Sequence, residues 1–166
     1  MLNTGRCLGA GLVCALLLLG CAQKQAEPET PPMTLKEFSD RFSALSGDEA
    51  NADELLALCE GALDRHAGSD PRYISTAHSY QSHAYLLKQN PAAAEKAVNK
   101  AIKADPSSAL AYFTVTDVYY AQKRFDEARE ACLKGTDIME FEEYRERMRD
   151  MCEDSYHQRK ALDEES

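Results

Sequence analysis

The sequence predicts an all-α protein, an α-helical solenoid of about three helical hairpins closed by a C-terminal capping helix. Three observations carry that expectation. Residues 75–108 lie over 109–142 without a gap, so that Tyr85 falls on Tyr119, Ala94 on Ala128, Ala97 on Ala131, Lys100 on Lys134 and Ala101 on Gly135. Apolar residues recur at helical spacing, as in Val98, Ala101 and Ile102 or Tyr112, Val115 and Tyr119, so each helix owns a stripe for a neighbour. Small residues stand at Ala94, Ala101, Ala128 and Gly135. Paired helix axes must approach to about 8–10 Å at such points, and bulk there would hold them apart.

The chain opens with a short segment whose only charge is Arg6, followed by residues 8–19, which are apolar apart from Gly9 and Gly11. Twelve helical residues span about 18 Å. That falls short of a hydrocarbon core of roughly 30 Å, so the run reads as the apolar part of a signal peptide rather than a permanent span. Leu18-Leu19-Gly20-Cys21 closes it and resembles the bacterial lipobox. The resemblance implies removal of residues 1–20 and a lipidated Cys21 at the new N-terminus. Ala22 in place of Asp after the Cys implies the outer membrane, with the domain facing the periplasm. Residues 21–33 hold three Pro, with Gln and Glu and almost nothing large and apolar, and read as a flexible tether.

Each helix has its own local cause. Leu35, Phe38, Phe42 and Leu45 make one face of a first helix, opened by Thr34 as cap with Glu37 three residues on. Ser46-Gly47-Asp48 ends it, and residues 52–65 give a second helix with Leu55, Leu56, Cys59, Ala62 and Leu63 inward. Both fall within a degenerate hairpin, residues 34–74. Residues 75–108 and 109–142 are the two repeats, separated where Asp105-Pro106-Ser107-Ser108 breaks the chain and offers a cap to the next helix. Beyond them, Phe141, Tyr144, Met148, Met151 and Cys152 form one stripe on a terminal helix. Residues 143–166 are expected to cover the last hairpin with that stripe and to end in a fraying acidic tail.

The 34-residue period resembles the tetratricopeptide repeat, a helical hairpin. In the second copy Tyr112, Val115, Tyr119, Ala128 and Cys132 match its pattern; in the first, Tyr85, Ala94, Val98, Ala101 and Pro106 match, while His78, Gln81 and Ser82 depart from it. The resemblance implies a superhelix whose first helices line an inner face. Carried over residue by residue, the inward positions are Thr76, Ser79, His83 and Leu86, then Leu110, Phe113, Asp117 and Tyr120. Phe113 and Tyr120 either anchor an extended or helical peptide or pack against a flanking helix; both readings stand open.

Charge narrows the function. Asp and Glu number 28 against 19 Lys and Arg, a net charge of −9. Nucleic acid needs a basic face, so it is excluded as a partner. The four His are His66, His78, His83 and His157, and the chain holds no HExxH, GxSxG, phosphate-loop or CxxC motif. His78 and His83 are five apart, which turns them roughly 140° from each other on a helix. No metal, no cofactor and no catalytic residue is therefore expected. The chain reads as a non-enzyme, a membrane-anchored adaptor that binds a protein or peptide partner in a bacterial cell-envelope assembly. The alternative is a periplasmic binding module for a small ligand or peptidoglycan fragment, using His83, Asp117 and Tyr120 as polar contacts.

Cys59, Cys132 and Cys152 remain after the signal and the lipid site are set aside. In an oxidising compartment Cys132 and Cys152, on neighbouring elements of such a stack, either form a bridge or stay as small core thiols. Sequence leaves both open.

Overall fold

Four of the α-helices, and one 3₁₀ turn, start at a residue whose side chain or ring suits that place. The computed structural model describes residues 32–66 and 70–165, and among these it contains seven α-helices and no strand: α1 Leu35–Leu45, α2 Ala52–Arg65, α3 Pro71–Leu87, α4 Pro91–Ala104, α5 Ala109–Ala121, α6 Phe125–Ile138 and α7 Glu142–Glu164. The expected signal segment, Cys21 and the tether up to residue 31 lie outside the described residues. Thr34 and Glu37 close a capping box on α1, Glu37 donating its backbone N–H to Thr34 Oγ1 at 3.3 Å and accepting from the Thr34 N–H at 2.9 Å. Asp48 caps a short 3₁₀ turn, Glu49–Asn51, that leads into α2. Asp70 and Asn90 cap α3 and α4, each followed by a proline at the first helical position. The Asp70-Pro71 pair starts α3 one turn earlier than the repeat boundary at residue 75. Ser108 caps α5 through the Ala111 N–H.

The 34-residue offset persists in the backbone, bond for bond. Helices α3 and α5 end at Leu87 and Ala121, and α4 and α6 run from Pro91 to Ala104 and from Phe125 to Ile138. In the first turn Gln89 N–H donates to Leu86 O and Asn90 N–H to Tyr85 O; in the second, Lys123 N–H donates to Tyr120 O and Arg124 N–H to Tyr119 O. These are two Schellman motifs, with the left-handed residue supplied by Gln89 (φ 53°) and Lys123 (φ 59°) where glycine is the usual choice. An L side chain is strained there. Gln89→Gly is therefore expected to stabilise the protein by about 0.5–1 kcal/mol, read as a raised urea midpoint. A lowered midpoint would show that the turn carries no strain.

The helices pack in succession, α2 on α3, α3 on α4, α4 on α5, α5 on α6 and α6 on α7, and α3 also meets α5. Ala94, Ala101 and Ala128 are fully buried. A Cβ added to Gly135 would lie 3.0 Å from the Phe113 ring and 3.1 Å from Tyr112 Cβ, so α5 and α6 touch at this glycine. One apolar cluster joins Phe38 and Phe42 of α1 to Leu55, Leu58, Cys59 and Ala62 of α2 and Tyr73, Ala77 and Ala84 of α3. A second joins Ala94, Val98 and Ala101 of α4 to Ala111, Tyr112, Val115 and Val118 of α5 and Ala131 of α6.

Polar clamps reinforce successive junctions. Glu95 on α4 accepts from Arg124 Nη1 at 2.8 Å and from Gln122 Nε2 at 2.9 Å, and the Arg124 hydrogen bond, ahead of the one from Gln122, holds its carboxyl below the usual range. The Arg124 guanidinium also covers the Tyr119 ring at 4.2 Å. At the equivalent place in the next hairpin the sign reverses, with Arg129 on α6 donating to Glu153 on α7 at 2.7 and 2.6 Å.

Helix α7 departs from expectation. Of the stripe expected to cover the last hairpin, Phe141, Tyr144 and Met151 are exposed, Met148 is half-buried, and Cys152 alone is buried. The side of α7 turned to α6 is set by Arg149 paired with Asp137, Glu153 with Arg129 and Tyr156 with Asp126. With the Cys132–Cys152 bond, these contacts turn a different side of α7 to the hairpin and leave the apolar stripe outside it.

Candidate partner-binding face

Helices α3 and α5 pack on each other, and the residues expected to face inward divide there into open and covered. Asp117 is exposed, while His83, Leu86 and Phe113 are half-buried. Ser79 and Tyr120 are buried, so they are corrected from partner-facing positions to packing positions, while Thr76, also buried, still lines a cleft. For Tyr120 the reason is α7: the Arg159 guanidinium lies over its ring at 4.5 Å, with the Phe125 ring at 6.4 Å. Burial pushes its phenol up from the ordinary value, against the charge of Arg159. On α3, the Phe42 ring of α1 meets His83 edge-on at 5.7 Å and stacks on Tyr80 at 3.9 Å. Phe113 leans on Gly135, which fixes it between α5 and α6 with one edge free.

Asp117 combines access with crowding. Its carboxylate reaches solvent, but surrounding protein strips enough water to push it above the usual carboxylate range, with Arg159 and then His83 opposing the shift. No donor among the described residues is within hydrogen-bond distance of it. The arrangement leaves an exposed acceptor on α5.

A cleft lies toward the N-terminal ends of α3 and α5. It has a volume of about 610 Å³ and is walled by Leu35 and Ser39 of α1, floored by Arg72, Thr76 and Tyr80 of α3 and Leu110 of α5, and closed by Asp105, Ser107 and Ser108 and by Ile138, Met139, Glu140 and Phe141. Leu110 projects here with 39% of its surface exposed. Arg72 escapes a reading by repeat position because it precedes the first repeat, and Phe141 because it lies in the connection before α7, whereas Tyr80 sits one turn from Thr76 on the same face. The one available signal was the apolar run at Ile138-Met139 and Phe141, which breaks helical spacing.

Among the described residues no group of His, Cys, Asp and Glu is placed to hold a metal ion. His78, half-buried, shares a hydrogen bond with Gln81 Oε1 at 3.2 Å, and burial lowers its basicity. Cys132 and Cys152 are bonded, their Cα atoms 5.8 Å apart, and Thr136 lies beside the bridge, its Oγ1 3.6 Å from Cys152 Sγ. Cys59 is a free, buried thiol whose pKa burial pushes up to about 12. No helix among the described residues is long and apolar enough to cross a membrane. Comparison of the chain with protein-family models finds no match, and comparison with curated proteins finds no similar sequence.

Proposed function

We propose that this chain is a lipid-anchored adaptor of a bacterial cell envelope, held to the outer membrane through Cys21, whose hairpins form a tetratricopeptide-like stack that grips a protein partner. The observation that carries the reading is the gapless 34-residue recurrence of helix ends and Schellman turns over α3–α4 and α5–α6, because a repeated hairpin extends one face over several elements. The cleft spanning α1, α3 and α5 supports it, being elongated and bounded by two interhelical connections. Its mixture of Leu35, Tyr80, Leu110 and Phe141 with Arg72 and Glu140 suits an amphipathic helix or an extended peptide. A small-ligand module would be favoured by an enclosed pocket, whereas this cleft opens to solvent. The lipobox resemblance supports the anchor, and the disulfide accords with an oxidising compartment.

Site-specific photocrosslinking in native membranes tests the binding face. A crosslinkable residue at Leu110 is expected to give a discrete adduct, and the same residue at exposed Lys100 on α4 is expected to give none. Equal patterns at both positions, or no adduct at Leu110, would remove the reading. Mass spectrometry of the purified N-terminus, showing acyl chains on Cys21 or their absence, decides the anchor separately.

A further inference from the structure

Four of the five large apolar side chains exposed among the described residues, Phe141, Tyr144, Met151 and Leu162, belong to α7 and its cap. Phe141, Tyr144, Met148, Met151, Ser155 and Gln158 follow the alternating three- and four-residue spacing of a coiled-coil seam over about 26 Å of helix. The Phe141 and Tyr144 rings already pair edge-on at 6.1 Å.

We propose that this seam is a self-association surface through which two copies of the chain pair α7 with α7, antiparallel about a two-fold axis. The seam shares Phe141 with the partner cleft, and its other residues lie outside that cleft. Two features of the seam select a second copy as its occupant. First, antiparallel alignment centred between Met148 and Met151 sets Phe141 opposite Gln158, Tyr144 opposite Ser155 and the two methionines opposite each other, so the aromatics meet the smaller and more flexible side chains. Second, Arg147 and Asp154 flank the same side of the seam, seven residues apart. Both are exposed, and neither makes an ion pair within the described residues. The same alignment brings Arg147 of each copy to Asp154 of the other, so one self-complementary patch satisfies both charges twice, as a two-fold interface requires. Parallel alignment would leave them unpaired. One helix pair buries less than the roughly 1,600 Å² of a standard interface, so the association is expected in the micromolar range rather than as an obligate dimer.

Sedimentation velocity of the full-length chain in detergent, across micromolar concentrations, is the test. The wild type is expected to move from monomer toward dimer as concentration rises, and Met151→Glu to stay monomeric with unchanged circular dichroism. Arg147→Asp and Asp154→Arg alone are each expected to weaken the dimer about tenfold, through two lost pairs and two like-charge contacts. The double variant should restore it. A monomer at every concentration, a dimer that survives Met151→Glu, or a double variant no better than the singles would each overturn the proposal.

Discussion

Phe38→Ala is expected to lower stability by about 3–5 kcal/mol, the largest single-substitution effect expected in this fold, read as a fall in the urea midpoint. Phe38 is fully buried and, with Phe42, supplies all that α1 buries completely. Its ring lies 5.5 Å from Tyr73 and 5.4 Å from Tyr80, so it joins α1 to two points about two turns apart on α3 and shares an apolar cluster with Leu55 on α2. Removing it leaves a cavity whose walls are aromatic rings held by other contacts, and these cannot collapse inward. Amide exchange should show the loss of protection first in Leu35–Leu45. A change below about 1 kcal/mol would mean that α1 is held by something other than this ring.

Breaking the Cys132–Cys152 bond, by the double alanine variant, is expected to cost about 3 kcal/mol in the chain-entropy account and to lower the melting temperature by roughly 10 °C. The cost should fall on α7. Cys152 is the only fully buried residue of that 23-residue helix. Its polar ties to α6 are the exposed Tyr156–Asp126 hydrogen bond and the pairs Arg129–Glu153 and Arg149–Asp137, half-exposed ion pairs of the kind worth about 0–1 kcal/mol each. Exchange protection should therefore drop across Glu142–Glu164 while α3–α6 keep theirs. Uniform loss through all helices, or none, would show that the bond is not what fastens α7.

Much of the fold was legible because its causes are local. Thr34 and Glu37 announce the start of α1, Asp105 to Ser108 the break before α5, and the alanines and glycine at a 34-residue spacing the two close helix contacts. The site was less legible. Ser79 and Tyr120 occupy inward repeat positions, but whether an inward side chain stays open depends on what lies over it. For Tyr120 that is Arg159, thirty-nine residues on, and a hairpin period says nothing of it. The α7 stripe is a poor guide for a related reason: spacing names an apolar face, but the Cys132–Cys152 bond and the polar pairings with α6 turn another side of α7 to the hairpin. Gln89 and Lys123 gave no sign of their left-handed backbone, since the residue that normally marks it is missing from both turns.

The reversal of sign between the two junction clamps makes the order of the hairpins matter. Splicing in a tandem duplicate of residues 109–142 would place Arg129 of the original copy against Arg124 of the duplicate, guanidinium facing guanidinium where the native joint has a carboxylate. The units look alike in backbone, yet their polarity works like the ward of a lock, and it admits the acidic side of α7 after the second hairpin and not another hairpin of the same kind.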